Sequence, residues 1–287
     1  MCDEITEAEN TAFFLNRREF AGLGAGAAAL VTLPGCATAA EAPTASRDVV
    51  IDTPDGKADA FFVYPKKGKH AAVIMWPDIA GLRDAYKTMG TRLAAAGYAV
   101  LVVNQYYRSS PAPILNSLME WRSDAGQKKL KPMIAAITPS GTTTDAAAFV
   151  SWLDAQKEVN SKKRIGSCGY CMGGPFTVRT AFANPARVGA AASFHGGGLV
   201  GPEADSPINL IAKTRAAYLI AIAKNDDERA PKEKTQLRAA ANAAKRPAEI
   251  EVYPAQHGWC TLDAPIYDRT QAEKAWGRML ALFKANL

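Results

Sequence analysis

Arg164-Ile165-Gly166-Ser167-Cys168-Gly169-Tyr170-Cys171-Met172-Gly173-Gly174-Pro175 is the stretch on which the fold turns. Arg164 to Cys168 reads as a short strand, and a helix starts at Pro175, a residue suited to a first helical turn. The link between them has the form G-x-C-x-G. A strand-to-helix turn this sharp brings neighbouring backbone so close that the residues two before and two after its apex must be glycine. Cys171 is then lifted to the start of the helix, where the dipole and unpaired N–H groups favour thiolate over thiol. The Met172 N–H is placed to donate to an oxyanion.

Outward from this unit the chain alternates β-type and helical runs, the signature of a mostly parallel sheet covered by helices. Arg47 to Ile51 and Ala58 to Tyr64 read as an antiparallel pair around Pro54-Asp55-Gly56. Ala71 to Trp76 is the first core strand, followed by a helix capped by Asp84 with Tyr86, Met89 and Leu93 on one face, and then by strand Tyr98 to Val103. From Arg108 to Thr144, Pro111, Pro113, Pro132 and Pro139 punctuate a polar stretch that reads as a long irregular connection. Asp145 to Gln156 is helical, with Phe149, Val150 and Leu153 inward. Beyond the cysteine unit come strand Val188 to Phe194 with a short helix, strand Ala217 to Ala223 with a helix from Lys232, and strand Ala248 to Tyr253. A last helix from about Thr270 buries Trp276, Met279, Leu280 and Phe283. With no repeat and no second linker, residues 41–287 form one α/β domain of about eight strands, its site beyond the strands' carboxyl ends.

Composition agrees. The 287 residues are 48% hydrophobic and 22% charged, enough apolar material for a full core, which excludes disordered, collagen-like and coiled-coil classes. Thirty-four Lys and Arg against 28 Asp and Glu give +6, short of a nucleic-acid footprint. The basic groups at Lys66, Lys67 and Lys69, at Lys128, Lys129 and Lys131, and at Lys162 to Arg164 read as solvated loop charge.

Residues 1–40 read as an address. Asn16-Arg17-Arg18-Glu19-Phe20 resembles a twin-arginine export motif, and the apolar run Ala21 to Leu33 is shorter than the roughly 20 residues that span a bilayer. Leu33-Pro34-Gly35-Cys36 resembles a lipobox, with cleavage within Ala37-Thr38-Ala39-Ala40 as the competing reading. The expectation is an exported, periplasmic protein whose contact with a membrane would be a lipid anchor at Cys36. Of five cysteines, Cys168, Cys171 and Cys260 stay in the mature domain, an odd number that cannot be wholly paired within one chain.

A nucleophile needs a base, and the chain has three histidines. His257 follows the strand ending at Tyr253, at the expected active face. His195 also ends a strand and is the rival, while His70 precedes one. Asp226 and Asp227 follow the preceding strand, so nucleophile, acid and histidine occur in the order of α/β-hydrolase triads.

With these elements in place, the sequence resembles the dienelactone hydrolase family of α/β-hydrolases, whose elbow reads G-Y-C-x-G-G, from about Val50 to the C-terminus. The resemblance implies an α/β-hydrolase fold and a cofactor-independent hydrolase of esters or lactones using Cys171, His257 and Asp226, with Asp227 the alternative acid. Trp76-Pro77-Asp78-Ile79-Ala80-Gly81 stands where the family has Q-E-x-x-G. Asp78 therefore replaces a Glu that contacts the resting thiol, and the Ile79 N–H is the second oxyanion donor beside Met172. Asn104-Gln105-Tyr106-Tyr107-Arg108 resembles D-L-Y-x-R, which gives Arg108 the role of orienting the cysteine and holding a substrate carboxylate. One departure is Thr261, at a position where the family's dienelactone hydrolases carry a second arginine.

Two other classes compete. Cys168-Gly169-Tyr170-Cys171 matches C-x-x-C, the pattern of a thiol-disulfide oxidoreductase, although Cys168 should lie inside the strand and face away. A non-catalytic ligand-binding lipoprotein on the same fold is the other. Scattered histidines give no metal cluster, and no G-x-G-x-x-G follows the first strand, so neither metal nor dinucleotide cofactor is expected.

Overall fold

The computed structural model describes residues 42–287; the export segment read above, with Arg17, Arg18 and Cys36, lies outside the described residues. Eight strands form one sheet: β1 (Thr44–Thr53), β2 (Gly56–Pro65), β3 (Ala72–Trp76), β4 (Ala99–Val103), β5 (Ile165–Tyr170), β6 (Val188–Phe194), β7 (Ala217–Ala223) and β8 (Ala248–Tyr253). Their order is β1-β2-β4-β3-β5-β6-β7-β8. The opening hairpin joins antiparallel and everything from β4 onward is parallel. The helices are α1 (Asp84–Ala95), α2 (Leu118–Trp121), α3 (Asp124–Ala135), α4 (Pro139–Asp154), α5 (Gly174–Ala183), α6 (Pro207–Leu210), α7 (Lys224–Arg229), α8 (Glu233–Ala243) and α9 (Arg269–Asn286).

Alternation along each strand builds two cores. Ala72, Ile74 and Trp76 of β3 point to one face, packing with Phe149 of α4 and Phe176 of α5. Val73 and Met75 point to the other, packing with Tyr86 and Leu93 of α1 and Met279 and Phe283 of α9. Strands buried on both faces read as continuous apolar runs, as β3, β4, β6 and β7 do.

The segment expected to be irregular is instead largely helical. Pro139 opens α4 at its first turn, with Thr138 accepting from the Gly141 N–H, so the proline starts a helix where a breaker was read. Pro132 lies inside α3 and costs that helix one hydrogen bond without ending it. Lys128, Lys129 and Lys131 therefore sit on a helix, and Lys129 Nζ donates to the Ile114 carbonyl. Two smaller corrections concern caps and turns. Asp84 is the first residue of α1 and Arg83 holds the cap position, and Asp226 and Asp227 lie in the short polar helix α7 rather than in an open loop. The segment after β4 folds over the sheet's carboxyl edge as a third apolar cluster, in which Ile114, Leu118, Trp121 and Leu130 gather with Ile79, Cys171 and Ile266.

Candidate active site

Strand order reverses at β3, with β4 on one side and β5 on the other, and the loops leaving the carboxyl ends of β3 and β5 meet at this switch point. Cys171 stands at the apex after β5 with φ 51°, a left-handed conformation that a non-glycine residue adopts at a cost. The neighbouring glycines leave no option. A Cβ on Gly169 would lie 2.1 Å from the Gly173 carbonyl oxygen, and one on Gly173 would lie 2.4 Å from the Trp76 carbonyl oxygen. The elbow is therefore pressed against the turn that follows β3.

That turn is tightly wired. Asp78 N–H donates to Tyr86 Oη, Ala80 N–H to Asp78 Oδ1 and Gly81 N–H to the Asp78 carbonyl; the Ile79 N–H takes part in none of these. The Asp78, Pro77 and Ile79 carbonyls accept from Gln105 Nε2 and Tyr106 Oη. Both carboxylate oxygens of Asp78 are bound by Arg83, at 2.7 and 3.0 Å, and the other edge of the same guanidinium grips Asp263 at 2.8 and 2.7 Å. Arg83 is 2% exposed. Asp263 also accepts from the Leu118 N–H, so one buried arginine ties together the β3 turn, the loop after β8 and the start of α2.

His257 lies in the loop after β8 and is 2% exposed. Its Nδ1 is 2.7 Å from Asp226 Oδ2, and its backbone N–H donates to Asn225 Oδ1. Arg229 anchors the other Asp226 oxygen, and Asp227 turns away to pair with Lys234. With Nδ1 engaged by Asp226, the ring shares the cleft wall with Cys171, which is among the groups acting on its charge. Burial by itself would lower the His257 pKa; the charges of Asp226 and Cys171 and the bonds to both overcome it and raise it to about 10. Burial likewise pushes Asp226 up, but the His257 imidazolium outweighs it and holds the carboxyl below its ordinary range.

The small cleft above these groups is lined by Asp78, Arg122, Cys171, His195, His257 and Ile266 among others. Met172 follows Cys171 on the same turn, its sulfur 3.7 Å from Tyr106 Oη. Thr261 is buried and meets Tyr86 Oη at 3.3 Å.

Arg108 is not brought to the cleft. Asp145 binds its guanidinium at 2.7 and 2.8 Å, Asp55 binds it at 2.6 and 3.0 Å, and it lies over the Tyr107 ring. These partners come from α4 and the β1–β2 turn and fix the hairpin to the rest of the domain. The arginines at the site are Arg83 and Arg122. Sequence reading passed over both: Arg83, five residues after Asp78 in a stretch with no local reason for burial, and Arg122, inside the segment taken as irregular. Cys168 faces the α1 and α9 side of the sheet and is sealed there, its thiol pushed up by burial, an arrangement unlike paired redox cysteines at a helix start.

The family described as "Dienelactone hydrolase family" matches residues 58–287. A provisionally named carboxymethylenebutenolidase of Escherichia coli (strain K12) is 28% identical over 233 residues, covering 78% of this chain and 81% of that protein. One from Methylorubrum extorquens is 24% identical over 83% of this chain and 80% of its own. Among solved structures, a provisionally named dienelactone hydrolase from Klebsiella pneumoniae superposes with a TM-score of 0.72 at 23% identity, covering 84% of this chain and 99% of its own. A dienelactone hydrolase-like promiscuous phosphotriesterase from metagenomic libraries gives 0.69 at 19%, covering 85% and 98%. At these identities the structural likeness speaks for the α/β-hydrolase fold.

Proposed function

The chain belongs to the dienelactone hydrolase family, and from that premise we propose that it hydrolyses ester or lactone bonds with Cys171 as nucleophile, His257 as proton carrier and Asp226 as the group that orients and charges His257. The observation that carries the reading is the meeting of Asp226 Oδ2 with His257 Nδ1 at the sheet's carboxyl edge, in a cleft that Cys171 also lines.

The thiolate attacks the substrate carbonyl carbon, a C–S bond forms, and the carbonyl electron pair moves onto oxygen. The Ile79 and Met172 N–H groups are the donors proposed for that oxyanion, each worth about 3 kcal/mol in comparable sites. Collapse breaks the C–O bond, and the His257 imidazolium gives its proton to the departing oxygen. Water then attacks the thioester while His257 takes a proton from it. The thiolate leaves, the acid is released, and the imidazolium is restored. The Arg122 guanidinium on the cleft wall suits an acyl group carrying a carboxylate, the role that Arg108, bound by Asp145 and Asp55, does not fill.

The test compares the purified protein with Cys171→Ala on aryl esters and enol-lactones, acidic and neutral. The alanine variant should lose turnover by at least about a thousandfold while keeping its melting temperature. Arg122→Ala should raise KM for the acidic members alone. Residual hydrolysis by Cys171→Ala at the wild-type rate would overturn the assignment, and absence of turnover in both forms would favour the ligand-binding reading.

A further inference from the structure

The histidine left over by this mechanism is the unusual one. His195 follows β6 with φ 41°, is 1% exposed and lines the same cleft as Cys171 and His257. Its backbone N–H is fixed to the Ala221 carbonyl at 2.8 Å. Its loop is clamped against the nucleophile's helix: a Cβ on Gly174 would lie 2.5 Å from Gly196 Cα, and one on Gly196 would lie 2.3 Å from Ser193 Oγ. The ring packs 4.9 Å from His257 and 5.1 Å from Trp259, centroid to centroid. Neither ring nitrogen has a hydrogen-bond partner among the described residues, and the ring shares the cleft wall with Cys171. A buried imidazole left unsatisfied is costly, and a backbone held in the left-handed region adds to that. Strain and an orphaned polar group side by side in an active cleft point to a task.

His195 is not suited to be the base. No carboxylate bonds its second nitrogen, as Asp226 does for His257. Burial lowers its pKa, the Cys171 sulfur opposes this, and the His257 charge 4.9 Å away lowers it further. Two imidazoles this close do not both carry charge, and Asp226 gives the charge to His257. His195 is thereby biased toward the neutral form, which carries a single N–H.

We propose that His195 is a positioning residue for the nucleophile, an imidazole whose N–H donates to the Cys171 thiolate and holds the sulfur in line with the cleft. The proposal rests on Cys171 being the nucleophile. It gives the thiolate two unlike partners: His257, which is charged and must surrender its proton to the leaving group, and His195, which stays put while that proton is away. A donor to the sulfur also makes the thiolate a better leaving group when the thioester breaks down. The other ionisable or charged groups around the sulfur are Asp226 behind His257, Asp78 held by Arg83 on the β3 turn, Arg122 from the end of α2, Tyr106 beyond Met172 and Tyr170 on the preceding strand. All of these are unchanged when His195 alone is altered.

The experiment is the pH dependence of Cys171 alkylation by iodoacetamide, together with kcat and KM for an aryl ester, in wild type, His195→Gln and His195→Phe. Gln keeps an N–H donor and Phe keeps only the ring's bulk. His195→Phe should shift the alkylation midpoint up by about one pH unit and lower kcat about tenfold with little change in KM. His195→Gln should recover most of both. Should the Phe variant misfold, ring ¹⁵N NMR of the wild type supplies the same answer: His195 should remain neutral with one protonated nitrogen from pH 5 to 9, and that nitrogen's shift should move when Cys171 is carbamidomethylated. An unchanged alkylation profile in a folded His195→Phe, or a His195 signal indifferent to alkylation, overturns the proposal while leaving the nucleophile assignment intact. Turnover surviving in Cys171→Ala would instead sink the reading beneath it.

Discussion

Gly173 shows how much of the site is decided by single atoms. A methyl group there would press into the Trp76 and Pro77 carbonyl oxygens at 2.4 and 2.6 Å, and neither can yield without moving the turn that carries Ile79. Gly173→Ala should therefore lower stability by about 2–3 kcal/mol and reduce turnover far more than that loss alone explains, measured by urea unfolding beside steady-state kinetics. The same steric rule made the elbow legible in the sequence, since a constraint acting within five residues leaves its mark within five residues. Partnerships across the chain leave no such mark. Asp55 and Asp145 stand 53 and 37 positions from Arg108, and nothing in the segment around Arg108 announces that they converge on it. The choice between Asp226 and Asp227 was likewise a matter of direction: one carboxylate reaches His257 and its neighbour points to Lys234.

Arg83 is where separate elements are made to act as one. Its guanidinium is shared by the β3 turn and the loop that carries His257, and through Asp263 it also holds the first N–H of α2. Removing one member of a buried ion network leaves the others as uncompensated charge, typically a loss of about 3–5 kcal/mol, so Arg83→Met should destabilise the protein by that amount at neutral pH. The pH dependence has a definite sign. Burial alone would raise the Asp263 pKa, but Arg83 holds it below the ordinary carboxylate range. The stabilisation is thus present above about pH 4 and is lost as pH falls through the depressed value. Melting curves of wild type and variant should accordingly approach one another in acid; a gap that stays constant down to pH 3 would exclude the ionic origin. At this scale the sequence was readable wherever apolar residues set the period. Val188 to Phe194, Ala217 to Ala223 and Ala248 to Tyr253 coincide with β6, β7 and β8. It was opaque where they did not: Lys224–Arg229 is a helix without an apolar face, and prolines masked both the opening turns of α4 and the whole of α3, whose inward Leu130 serves the cleft-side cluster rather than the main core.

For the molecule as a whole, the division of labour is that of an open parallel sheet, with two apolar faces supplying cohesion and one edge supplying chemistry. The third cluster, over that edge, is built largely from the segment after β4, whose Leu118 and Arg122 wall the cleft and bound what enters it. Export remains a proposal carried by residues 16–40. Changing Arg17 and Arg18 together to Lys should hold the protein in the cytoplasm, read by fractionation, and Cys36→Ser should abolish palmitate labelling if the lipobox is used but leave it absent in both forms if cleavage falls among the alanines.

Among the described residues Cys168, Cys171 and Cys260 form no disulfide, and of the three Cys171 lines the cleft containing His257. Cys168 is walled into the opposite layer and the thiol of Cys260 is suppressed by burial. Should a peroxide convert the nucleophile to a sulfenic acid, neither of these two is poised to condense with it, and recovery would fall to a small thiol entering through the substrate's own door. Among the described residues such an arrangement trades self-repair for freedom from internal crosslinking, and wherever oxidants are met its working life would be set by the reductant that can reach one sulfur.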